Sequence, residues 1–315
     1  MSLYRHDFSR KDLKMEIISV IPRGYCQGVV RAIRTARKTA EENPGKTISM
    51  LGMIVHNRYV VEACRDLGIR FIEDPGKTRT ELLDEIDEGI VIFTAHGVSD
   101  EVRQKAAAKG LTIVDATCPD VIRTHELVRE HCRHGDVLYI GKKNHPEAEG
   151  TAGLSDRVHL ISSVSDLDDL PALENVMITN QTTLSILDIG QIIDACLEKY
   201  PDAVISQEIC NATRIRQEAV MNLKDTDCLL VVGDTRSNNS RQLAEIGRRS
   251  GIPETWLIGS VEDLKEEMIK NKNRIAVTSG SSTPNELTSQ VISFLKEYAE
   301  TGKFILPETV RCALL

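Results

Sequence analysis

The stretch LTIVDATCPDVIRTH, residues 111–125, decides how this chain is read. An apolar, strand-like run ends on Cys118, Pro119 follows at once, and the residues beyond take up a helical pattern. Proline is well tolerated as the first residue of a helix. A residue between the C-terminal end of a buried strand and a helix N-terminus stands where α/β proteins place ligands. A lone cysteine there is equally well explained as a small apolar filler, because free Cys is among the most buried residue types.

The same arrangement recurs on both sides. Cys26 ends EIISVIPRGYC and precedes the helical QGVVRAIRTARKTAEEN, and Cys210 ends DAVISQEIC and precedes NATRIRQEAVMNLK. The three cysteines keep a constant separation of 92 residues, 26 to 118 and 118 to 210. A fixed period is the signature of a repeated architecture. Between the cysteines the pattern alternates strand and helix, which implies parallel sheets with helices on their faces. The expected fold is therefore α/β: three pseudo-repeated small domains with mainly parallel sheets, packed around a pseudo-threefold axis on which the thiols converge. The expected boundaries are 15–111, 112–203 and 204–300, followed by a tail at 301–315 that packs back on the first unit.

Composition narrows the classes. The chain has 315 residues, 41% hydrophobic and 27% charged, as in an ordinary soluble protein. A net charge of −8 argues against nucleic acid or an acidic membrane surface as partner. The opening MSLYRHDFSRKDLK has no apolar signal region and no later run is long enough to span a bilayer, so the expected compartment is the cytoplasm. Eight cysteines without a secretion signal point to reduced thiols, metal or catalysis rather than a disulfide framework. Cys64, Cys132, Cys196, Cys228 and Cys312 lie outside the period and are expected to serve packing.

Three converging thiolates suggest metal. Structural zinc usually takes four protein ligands, often in C-x-x-C pairs, and no such pair occurs. An iron–sulfur cubane normally takes four cysteines, and one held by three keeps an iron open for Lewis-acid and redox chemistry. The spacing alone leaves this reading level with three buried strand-end cysteines in a duplicated fold.

Other chemistry gathers at the strand ends. His56 in VHNRYV, His96 in TAHGVS and His145 in NHPEAEG are three of eight histidines, and imidazole donates readily to phosphate. Ser237 and Asn239 in SNN and Ser282 in SGSSTPNE, with helix N-terminal amides, suit an anion cradle; ordinary N-capping explains the serines as well. Glu147, two residues past His145, is placed to act as a general acid, with Thr182 or Thr183 of TNQTTLS to hold it; a solvated capping pair is the plainer alternative. PGKT at 44–47 and 75–78 lacks the leading glycine of a phosphate loop, and no G-x-G-x-x-G follows a strand.

Taken in order, PRGYCQGVVRAI, VHNRYVVE, TAHGVS, DATCP, HPEAEGT, QTTLS, ICNAT, SNNSRQL and SGSSTPNE closely resemble the LytB/IspH reductases over about residues 21–291. The resemblance implies a cloverleaf of three α/β domains around one [4Fe-4S] cluster held by Cys26, Cys118 and Cys210. It implies reductive dehydroxylation of 4-hydroxy-3-methylbut-2-enyl diphosphate to isopentenyl and dimethylallyl diphosphate, the last step of the non-mevalonate isoprenoid pathway. His56, His96, His145, Thr182, Ser237, Asn239 and Ser282 would then bind substrate. Asn238, which stands where many members have a second serine, would join them. Glu147, aided by Thr182, would deliver the proton, and a ferredoxin or flavodoxin would supply electrons. Val30 stands where the family commonly has an acidic residue, a change expected to touch packing only.

Overall fold

The computed structural model describes residues 15–312. The chain opens with β1 (Glu16–Ser19) and α1 (Gln27–Glu42). Next come β2 (Ile48–Leu51), α2 (Arg58–Asp66), β3 (Arg70–Ile72), α3 (Arg79–Leu82), β4 (Ile90–Phe93), α4 (Asp100–Ala108) and β5 (Thr112–Asp115). The middle third holds α5 (Pro119–His131), β6 (Val137–Ile140), α6 (Pro146–Ala152), β7 (Val158–Ile161), β8 (Met177–Asn180), α7 (Ile189–Lys199) and β9 (Val204–Ile205). The last third holds α8 (Asn211–Met221), β10 (Cys228–Val232), α9 (Asn238–Arg249), β11 (Glu254–Ile258), α10 (Glu266–Ile269), β12 (Arg274–Ser279) and α11 (Asn285–Thr301).

These strands form three four-stranded sheets, ordered β3-β2-β4-β5, β7-β6-β8-β9 and β11-β10-β12-β1. Every pairing is parallel. The inner strands ISML, IVIF, VLYI, MITN and CLLVV are buried at every position. Strands covered by helices on both faces lose the in–out alternation and read as continuous apolar runs. The edge strands β3, β7 and β11 mix buried residues with partly or fully exposed ones.

The sheets correct the expected boundaries. β1 is not part of the first unit: Glu16 to Ser19 pair with Arg274 to Val277 and close the third sheet. β5 belongs to the first sheet and β9 to the second, so the junctions fall after these strands and not at 111/112 and 203/204. The three crossing strands, β5, β9 and β1, hold the same fourth position in their sheets. Each leads out of one unit into the first helix of the next: α1 buries Val29, Ala32, Ile33 and Ala36 in the first unit's core, α5 buries Val128 in the second's, and α8 buries Val220 in the third's.

The cysteines are therefore not the last residues of strands. Cys26, Cys118 and Cys210 are the N-cap residues of α1, α5 and α8, on the segments that cross between units. The tail is also corrected. Phe304, Leu306, Val310 and Cys312 pack on the third unit's core, while Arg311 reaches Asp66 of the first unit and Cys312 borders the same first-unit groove. Cys64, Cys196 and Cys228 are buried in cores and Cys132 is partly buried against one, as the packing reading expects. Residues 1–14 and 313–315 of the expected leader and tail lie outside the described residues.

Candidate functional site

In each sheet the strand order reverses between its two inner strands, and ligands in open parallel sheets bind in the crevice beyond such a reversal. Here the three crevices open on one pocket. His56, His145 and Ser237 each stand five residues past the ends of β2, β6 and β10. His96, Thr183 and Ser282 each stand three residues past the ends of β4, β8 and β12. The repeat thus supplies two rings of equivalent positions. His56 and His145 are counterparts, whereas the counterparts of His96 are hydroxyl residues. Cys26, Cys118, Cys210, Glu147, Thr182, Asn238 and Asn239 line the same pocket, so every site residue singled out in the sequence borders it.

Three imidazoles cluster in this pocket. The His56 and His96 ring centroids are 4.6 Å apart, and each lies 5.6 Å from that of His145. Their ring nitrogens come within 4.8 Å of one another, a spacing that suits shared donation to an anion or ligation of a divalent cation. Burial is the main force holding all three below the usual histidine pKa, His56 at about 4, with the Arg79 charge adding to it in each. Each ring is thus a neutral imidazole at pH 7. The Glu147 backbone N–H donates to His145 Nδ1 at 3.2 Å. That fixes the His145 proton on Nε2.

Polar groups of the third unit line the pocket beside them. Ser282 Oγ donates to His56 O at 3.1 Å, and Ser237 Oγ accepts from Ser240 N at 3.3 Å. Ser237 is therefore the N-cap of α9, as the plainer reading of the serines had it, while also lining the pocket. Asn239 Oδ1 accepts from Ser281 N at 3.0 Å. Asn238 Nδ2 donates to Thr183 O at 2.8 Å, which ties the third unit to the second.

Glu147 lines the same pocket. It is 2% exposed, and Oε1 accepts from Thr182 N at 2.7 Å while Oε2 accepts from Thr182 Oγ1 at 3.0 Å. Burial raises its pKa from 4.5 to about 7 against the pull of both bonds. A carboxyl group balanced between its two forms near neutrality suits general acid work. The solvated-cap alternative is excluded by this burial.

The three thiols also line it. All eight cysteines are free. Burial pushes Cys118 up to about 12 and Cys210 up to about 11, with the neighbouring Cys26 among the lesser causes in both. A methyl group on Gly28 would lie 2.4 Å from Cys118 Sγ and 3.9 Å from Cys26 Sγ, so this glycine leaves the space that both sulfurs face. Arg216 closes the region from α8. It is 4% exposed, its Nη2 donates to Gly24 O at 2.7 Å, and its buried Nε has no partner.

The sequence reading missed Gly28, Arg216 and Arg79. The glycine in CQGVV is visible at the same offset from only one of the three cysteines, and a lone arginine on a helix carries no signal, because most such charges are solvated.

Comparison with known proteins gives concordant results. The family model described as LytB protein matches residues 17–296. A 4-hydroxy-3-methylbut-2-enyl diphosphate reductase of Brevibacillus brevis is 48% identical over 292 residues, 91% of this chain and 93% of the relative. The reductase of the same name from Listeria monocytogenes is 46% identical over 294 residues, 92% and 88% of the two chains. Among solved structures, the E-1-hydroxy-2-methyl-but-2-enyl-4-diphosphate reductase of Plasmodium falciparum superposes with a TM-score of 0.83 at 32% identity, covering 89% of this chain and 87% of that one. A second, described as (E)-4-hydroxy-3-methyl-but-2-enyl diphosphate reductase, the terminal enzyme of the non-mevalonate pathway, gives 0.63 at 31% identity over 90% and 99%.

Proposed function

Because this chain belongs to the LytB protein family, we propose that it reduces 4-hydroxy-3-methylbut-2-enyl diphosphate to isopentenyl and dimethylallyl diphosphate. The observation that carries the reading is one pocket lined together by a buried, near-neutral carboxyl, three thiols and three neutral imidazoles. The allylic C–O bond breaks, the oxygen leaves as water, and two electrons and two protons are taken up.

The residues present fit an iron–sulfur cluster held by Cys26, Cys118 and Cys210. Gly28 keeps the space before two of the sulfurs clear. Arg216, a buried cation with no ion pair among the described residues, suits an anionic occupant through its unpartnered Nε. Three helix N-termini, those of α1, α5 and α8, carry the thiols and favour negative charge. A [4Fe-4S] cluster with one iron free of protein ligands supplies single electrons and a Lewis-acidic position for the hydroxyl. An external one-electron carrier of the ferredoxin or flavodoxin class supplies those electrons in turn.

The chain's own residues do the rest. Neutral His56, His96 and His145 and the Ser237, Asn239 and Ser282 groups hold the diphosphate, with Asn238 fixing the loop of Thr183. Thr182 holds Glu147 through backbone and hydroxyl, so that the carboxyl proton is aimed at the departing hydroxyl. Burial around this pair excludes bulk water, which keeps the proton transfer directed.

Protein purified without oxygen is expected to contain about four irons with matching sulfide per chain, and to show a reduced-state paramagnetic resonance signal altered by the allylic diphosphate. Zinc in place of iron would leave a diphosphate-binding protein with a structural metal. Gly28→Val is expected to lose most of this iron while remaining folded by circular dichroism; full iron loading would show that the space at Gly28 is not used by the cluster.

A further inference from the structure

Arg79 is an unusual residue to find behind the three histidines. It is 5% exposed, and among the described residues it makes no ion pair. A buried guanidinium outside any ion pair is costly, and burial draws its pKa down to about 10 against the pull of the nearby Glu149 and Glu73 charges. The fold nonetheless makes room for it. Gly52 adopts φ +84°, and a methyl group there would lie 2.9 Å from Arg79 Nη2. The Arg79 backbone N–H is held by Glu149 Oε1 of the second unit at 2.8 Å.

Its charged end is aimed at the histidine loop. Arg79 Nη1 donates to Thr94 Oγ1 at 3.1 Å and lies 3.5 Å from Gly97 O. Thr94 Oγ1 is in turn 3.3 Å from His96 Nδ1. Thr94 is fully buried, so its hydroxyl hydrogen needs an acceptor among its neighbours. Guanidinium is donor only, which leaves the threonine hydrogen for His96 Nδ1. With Nδ1 accepting, the single proton of neutral His96 stands on Nε2. His145 reaches the same tautomer by a different route, through the Glu147 amide.

We propose that Arg79 and Thr94 are positioning residues that lock His96 in the Nε2–H form, so that a neutral imidazole presents a donor to the substrate diphosphate. The inference rests on the reading of this pocket as a diphosphate site. Arg79 acts at one remove, as a cation that touches a threonine and never the anion. The relay lets the pocket hold a highly charged group with neutral donors, its positive charge kept behind them.

The test is a double-mutant cycle read by calorimetric binding of inorganic diphosphate to the iron-loaded protein under anaerobic conditions. Thr94→Val, which keeps the shape and removes the hydroxyl, is expected to weaken binding about tenfold, and Thr94→Ser to restore it to within about twofold. In a His96→Ala background Thr94→Val is expected to cost less than about twofold, because its effect passes through the imidazole. A merely structural threonine would cost the same in both backgrounds, and that additivity would overturn the relay while leaving the diphosphate site standing. Absence of diphosphate binding by the unaltered protein would instead overturn the site reading, and the relay with it. Arg79→Met is likewise expected to weaken diphosphate binding and to add little in a His96→Ala background; should it fail to fold, the Thr94 and His96 variants decide the relay without it.

Discussion

Replacing Glu147 by glutamine is expected to lower turnover by roughly 10²–10⁴-fold, with iron content and affinity for inorganic diphosphate retained. The amide keeps the acceptor facing the Thr182 N–H and has no proton of suitable acidity to give. In the unaltered protein the same group should shape the pH profile. Its pKa of about 7 leaves the acid form dominant below neutrality, so turnover should fall as pH rises through 7, while the variant's residual rate stays flat.

Stability gives an independent check on that pKa. A carboxyl group whose folded pKa is raised contributes stability that is fully present below its unfolded value, near 4.5, and is lost as pH rises through about 7. The loss is on the order of 3 kcal/mol when complete. Thermal unfolding should therefore show Glu147→Gln more stable than its parent at pH 8, with the gap closing toward pH 5. Equal melting temperatures at pH 8 would mean that Glu147 is not held protonated by burial, and the proton donor would have to be sought elsewhere.

Cys118→Ser should have the larger effect on the cofactor. Turnover is expected to vanish, and iron to fall from about four per chain to near zero after desalting. Cys132→Ser serves as the control, because Cys132 lies against a core and does not border the pocket; it should keep iron and activity. Full iron and turnover in Cys118→Ser would remove this thiol from the ligand set.

The architecture was legible because repetition amplified weak local signals. One Cys–Pro junction says little, but three cysteines at a constant interval, each before a helical run, fixed the unit and pointed to the pocket. The inner strands were equally plain, since burial on both faces makes them uniformly apolar. The edge strands β3, β7 and β11 went unread because their partly exposed positions break those runs. β9 was read as extending to Cys210, yet in the ladder only Val204 and Ile205 pair with a neighbour; beyond Ser206 isolated bonds replace it, Glu208 N donating to Asn180 Oδ1 and Cys210 N to Thr182 O. Assigning β1 to the wrong unit has a different cause. Period and propensity show that a strand exists, but its partner is chosen by packing across the whole chain. The Arg79–Thr94 pair lay beyond reach for a similar reason, since a hydrogen bond between a helix arginine and a threonine 15 positions away leaves no trace in spacing.

The placement of β1 bears on how the protein is made. β1 pairs with β12, the Glu16–Arg274 contact spanning 258 residues. At about 5–20 residues per second, synthesis leaves that strand without its sheet for on the order of 10–50 s. The first and second sheets can form meanwhile, but the thiol of Cys26 is anchored on both sides only once β12 has emerged. Fragments that stop short of β12 should therefore expose an unpaired edge and fail to retain iron. On the proposed reading, loading of the cluster becomes a late event, timed by the emergence of β12.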